Sequence, residues 1–140
     1  MSRYIEKKKE DIGLSPFALV FRGQKKTDKI VLRAMDFDLE DVIELEVSST
    51  HELFALKKSK KLTWLNVDGL DNVNLMENIA RLFKIENNIL SDVLNPSLRP
   101  KVLEFENGIF VTIKMLQYDE SEDNLTVENL SFLHPQHAGR

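Results

Sequence analysis

Two apolar runs on either side of an Asn-Gly pair constrain this chain more than any other feature. VLEFE (102–106) and IFVTIKMLQY (109–118) flank Asn107-Gly108. Asn-Gly is the favoured two-residue turn between strands that twist right-handed, so these residues predict an antiparallel hairpin. DESEDN (119–124) makes a second polar turn, and LTVENLSFL (125–133) starts another strand.

Upstream the signals alternate between strand and helix. FALVFRG (17–23) reads as a short strand closed by Gly23, and IVLRAMDF (30–37) as a second. In DLEDVIELEV (38–47), Asp38 can cap a short helix over Leu39–Val42, with a strand at 43–47. Ser49 or Thr50 can cap a helix through HELFAL, followed by the basic turn KKSKK (57–61). LTWLNVDGL (62–70) is rich in apolar residues and ends at Gly69, which predicts a strand buried on both faces with Trp64 in the core. The clearest helix spans 71–84, with Val73, Met76, Ile79, Ala80 and Phe83 on one stripe. A second helix runs from Asn87 to Leu94 and stops before Pro96. Phe105, Ile109, Phe110, Ile113 and Met115 are expected to be core. The order predicts an α/β (α+β) domain: a mixed, largely antiparallel sheet with helices packed on its faces. Residues 1–13 are expected to be a flexible leader, 14–133 one domain, and 134–140 an irregular tail.

The bulk numbers narrow the function. At 140 residues the chain can bury a real core, and 42% hydrophobic with 30% charged residues is ordinary for a folded domain. A formal net charge of -4 without a basic stripe argues against nucleic acid. No cysteine is present, so thiolate catalysis, disulfides and Cys-based zinc sites are out. The opening MSRYIEKKKED lacks the apolar segment of a secretory signal. The longest apolar runs fall far short of the ~20 residues a membrane span needs.

No catalytic set stands out, and an enzyme is not expected. His51 falls in a helix, while His134 and His137 sit three apart in the tail without a cysteine or a nearby acid, so they read as solvated. DESEDN holds four acids in six residues but lacks the glycine and final glutamate of a calcium loop. KKSKK reads as a solvated loop. Asp92 is different. At about 100° per residue, it lies roughly 130° from the centre of the apolar stripe Ile89, Leu90, Val93 and Leu94. It should project outward, either as an ordinary surface aspartate or toward a partner.

Residues 14–133 resemble the cytosolic N-terminal domain of the CorA-type magnesium and cobalt channel family. The likeness begins at GLSPFALVF and strengthens at LTWLNVDGLDNVNLMENIARLFKI. It is most specific at ILSDVLNPSLRPKVLEFENGIFVTIKML, and it closes with LTVENLSFL. The resemblance implies a homo-pentamer around one pore, with this domain on the cytoplasmic face and not itself touching the membrane. It also implies a Mg2+-sensing role, in which Asp92 shares Mg2+ with an acid on a neighbouring subunit's stalk helix. That stalk, the two membrane helices and the Gly-Met-Asn pore signature are not in this sequence, so Mg2+ binding by this chain alone is expected to be weak or absent. The family often carries a second acid just before that aspartate, where this chain has Ser91. The cytosolic domain of a zinc-transporting relative, or a free-standing binding module derived from it, are the alternatives.

Overall fold

The computed structural model describes residues 13–15, 18–23, 29–106 and 108–135. Its elements run β1 (Val31–Phe37), β2 (Val42–Val47), α1 (Thr50–Lys57), β3 (Leu62–Asp68), α2 (Val73–Phe83), α3 (Asn87–Val93), β4 (Lys101–Phe105), β5 (Gly108–Asp119) and β6 (Asn124–Pro135). The fold mixes α and β, as expected. Instead of one mixed sheet, however, it has two three-stranded sheets, β2-β1-β3 and β4-β5-β6, with every pairing antiparallel. Two compact units divide the chain: Gln24–Lys84, and Met1–Gly23 together with Ile85–Arg140.

In the Gln24–Lys84 unit, alternation along β1 decides the faces. Leu32 and Ala34 are buried, while Arg33 and Met35 look the other way and are exposed. Val47, Leu53, Met76, Ile79 and Ala80 complete this unit's buried apolar set. Full burial of an aliphatic side chain such as Leu53 contributes about 1.5–3 kcal/mol. Helix α1 starts where Ser49 accepts from the Glu52 N–H, and the Glu52 carboxylate reaches back to the Ser48 N–H, a close variant of the capping box. Helix α2 begins at Asn72, whose side chain accepts from the Leu75 N–H at 3.0 Å. It ends at Lys84 in the left-handed region (φ 56°). Gly69, with φ 95°, turns the chain out of β3.

Three expectations fail in this unit. No helix forms over Leu39–Val42. Asp38 instead accepts from the Glu40 and Asp41 N–H groups, both at 2.9 Å, and closes the turn of the β1–β2 hairpin. Strand β3 is not buried on both faces: it lies at the edge of its sheet, with β1 in the centre, and none of its residues is fully buried. Trp64 is 53% exposed rather than core. It pairs directly with Met35, so it shares the open face of the sheet, while the buried side chains of β1 face the other way.

In the other unit, Gly108, Phe110 and Thr112 alternate on the buried face of β5, and Ile89, Leu90, Val93 and Leu94 supply the buried apolar residues of α3 and its end. Of the five β4–β5 residues expected in the core, only Phe110 is fully buried. Phe105 and Ile109 are half-buried, and Ile113 and Met115 are exposed. The apolar pattern of β5 runs on both faces, so residue type alone does not say which face is buried. The hairpin itself forms, with Phe105 paired to Gly108. Gly108 therefore belongs to the strand, and Asn107 lies outside the described residues. Strand β6 takes in His134 and Pro135, two residues of the expected tail.

The strand expected at 17–23 is not formed over its described part, 18–23. That segment is held by the Arg22 N–H donating to the Leu94 carbonyl at 3.1 Å. A Cβ on Gly23 would fall 2.9 Å from Cγ of Pro96 and closer still to the Phe21 ring, so a side chain there would force those groups to shift. Of the expected leader at 1–13, residues 1–12 lie outside the described residues.

Candidate functional site

Asp92 sits in the last turn of α3, and the segment after it is what gives it a partner. The Asn95 N–H donates to the Asp92 carbonyl at 3.1 Å, and the Leu98 N–H to the Asn95 carbonyl at 3.1 Å. The Asn95 side chain accepts from the Ser97 N–H at 3.1 Å. From β6, the Asn129 amide donates to the Asn95 carbonyl at 3.1 Å. From β5, the Lys114 ammonium donates to the Pro96 carbonyl at 2.9 Å, and partial burial lowers its pKa from the ordinary value. LNPSLRP is therefore folded into a braced corner whose backbone polar groups are largely answered.

That corner returns the chain so that Lys101, the first residue of β4, faces Asp92. Its Nζ donates to Oδ2 of Asp92 at 2.6 Å. The side chains keep 37% and 25% of their surface exposed, so the pair is neither fully solvated nor sealed. Nζ also lies 5.9 Å from the centroid of the buried Phe110 ring, at the outer limit of a cation–π contact. Expected to reach freely outward, Asp92 is half-buried and drawn toward its own strand. Ser91, at the position where an acid was expected from the resemblance, is buried.

A carboxylate in this setting can hold a hard cation through oxygen, but it cannot enclose one. Among the described residues, no group of three or more His, Asp or Glu side chains comes together as a metal site. A cation at Asp92 would take its remaining ligands from water or from another chain. This fits Mg2+, which keeps several waters and binds through one or two carboxylates.

The other sequence candidates resolve as surface features. His51 is exposed on α1, and His134 is exposed opposite Ile109 on β6. His137 lies outside the described residues. In the 119–124 turn, Asp119 accepts from the Ser121 hydroxyl at 2.6 Å and from its N–H at 2.9 Å, which hold its carboxyl below the ordinary value. Tyr118 donates to Asp123 at 2.6 Å, which raises the phenol's pKa. These acids serve their own turn. In the KKSKK loop, Lys61 pairs with Asp38 and Asp41, both at 3.3 Å, and Ser59 donates to Asp36 at 2.7 Å.

Lys101 is the residue that sequence reasoning missed. It was visible in RPKV, but a separation of nine residues across a proline-rich corner matches no helical or strand period. No described helix is long and apolar enough to cross a membrane.

The family model described as "CorA-like Mg2+ transporter protein" matches residues 59–137, which include α3, the corner and all of β4–β6. The Cobalt/magnesium transport protein CorA of Thermotoga maritima is 30% identical over 121 residues, which cover 86% of this chain and 34% of that protein. The chain spans about a third of the length of this relative.

Proposed function

The chain belongs to the CorA-like Mg2+ transporter family, and from that premise we propose that it is the regulatory, Mg2+-sensing domain of a divalent-cation (Mg2+/Co2+) transporter. On this reading residues 14–133 act as one domain on the cytoplasmic face of a homo-pentamer, without touching the membrane. Asp92 lends one carboxylate to a hydrated Mg2+ whose second anchor is an acid of a neighbouring subunit. The observation that carries this is the placement of Asp92 at a braced corner, part-exposed, in a chain whose described residues bring together no complete metal cluster of their own.

The physics is linkage. A cation bound more tightly across a closed interface than an open one stabilises the closed state by an amount that grows with its concentration. Such a site needs modest affinity, because it must empty when Mg2+ falls. No covalent step is involved, so the role is that of a sensor and not an enzyme. The zinc-transporting alternative gains less support. A lone carboxylate suits a hard cation better than zinc, which favours nitrogen and sulfur donors, and the similar protein's name speaks of cobalt and magnesium.

Calorimetric titration of the chain with Mg2+ tests the shared site. Weak binding, with a Kd on the order of 1 mM (about -4 kcal/mol), is expected when one carboxylate and water are all the chain supplies. Asp92→Asn should abolish it. Micromolar affinity in a monomer would mean a complete site elsewhere and would overturn this reading.

A further inference from the structure

We infer that Lys101 is a built-in competitor for the cation at Asp92 and so sets the divalent concentration at which that site fills. This rests on the reading of Asp92 as a cation ligand, and it adds a residue to which no role has yet been given.

The geometry carries the inference. Lys101 Nζ stands 2.6 Å from Oδ2, the distance of a short charge-assisted hydrogen bond. Mg2+ binds carboxylate oxygen at about 2.0–2.1 Å and brings two positive charges. The carboxylate has lone pairs enough for both, but a dication there is repelled by the ammonium at Oδ2 and meets an already neutralised partner, so it binds best once Lys101 has swung away. Lys101 is not a loose surface cation. Its backbone is fixed at the head of β4, paired with Thr112, and the ring of Phe110 lies beside it. The lysine is thus returned to the same carboxylate each time the site empties.

Two consequences follow. The vacant site is a neutral ion pair and not a bare acid, so weakly held monovalent cations gain little by entering. A divalent cation can still enter, with its apparent affinity lowered by the strength of the pair. A half-exposed ion pair worth about 1 kcal/mol weakens apparent binding by about fivefold.

The test uses this chain with Mn2+ as a paramagnetic probe, read by the broadening of amide NMR signals and confirmed by displacement with Mg2+. Lys101→Gln should bind about fivefold more tightly than wild type, with broadening centred on Asp92. Lys101→Arg, which keeps the charge, should stay close to wild type, and Asp92→Asn should lose the effect. Lys101→Met is a second neutral replacement should the glutamine variant misfold, with unchanged Phe110 and Thr112 signals as the check. Broadening centred on Asp92 with equal affinity in wild type and both neutral variants would overturn the role of Lys101 and leave Asp92 standing. No broadening around Asp92 in any variant would overturn both.

Discussion

Thr112 lies in the middle of β5 with 1% of its surface exposed, and its hydroxyl has no hydrogen-bond partner among the described residues. A buried, unanswered hydroxyl costs about 1–3 kcal/mol, while a methyl of the same shape costs nothing of the kind. Thr112→Val should therefore stabilise the chain by about 1 kcal/mol, read as a higher urea midpoint at an unchanged slope. Unchanged or lower stability would mean that the hydroxyl is answered after all. Single residues were also where the sequence was least legible. Ile113 and Met115 look like core by type, yet they point to the other face of β5 from Phe110 and Thr112. Trp64 is exposed for the same reason, paired with Met35 on the open side of its sheet. In a strand that is apolar on both faces, one residue's parity is set by what packs against the sheet, and that information is not local.

Elements were far easier to read than residues, because their signals are local. The stripe of α2, the Ser49 cap of α1, the stop before Pro96 and the hairpin at 102–118 all appear where the pattern puts them. Two elements, the strand at 17–23 (over its described part) and the helix over Leu39–Val42, do not form, and the second shows why. Asp38 does bind backbone N–H groups, as a helix cap would, but it does so in a hairpin turn because Val42 onward pairs with β1. Those N–H bonds hold its carboxyl below the ordinary value of 3.8. The folded state therefore binds fewer protons there than the unfolded one. The turn's contribution is complete above that value and is lost as the pH falls further, through the folded value. The Glu40 and Asp41 amide signals should hold steady from neutral pH down to that range and shift only below it. A shift near neutrality would point to a different group. At the far end of α2, Lys84 occupies a left-handed conformation that glycine adopts without strain. Lys84→Gly should raise the melting temperature, with a gain of about 0.5–1 kcal/mol. A loss would mean that the lysine side chain contributes more than its backbone costs.

At the scale of the molecule, the likeness to one family was legible because ILSDVLNPSLRPKV is an ordered run and not a composition. The fold explains part of that order. Asn95 and Pro96 build and brace the corner that brings Lys101 back to Asp92. The site was legible only by half. Helical phase gave Asp92 a direction away from the apolar stripe, but the partner that meets it there arrives through an irregular loop that no periodicity describes.

That corner has one more consequence, which concerns time and not affinity. Residues 95–99 belong to no helix or strand, yet the amides of Asn95, Ser97 and Leu98 are all engaged, and side chains from two strands hold the carbonyls between them. Solvent deuterium should enter this connector about as slowly as it enters the strands that brace it, because its amides open only when those strands let go. A stretch that looks like a loop on paper would then keep the clock of a core element.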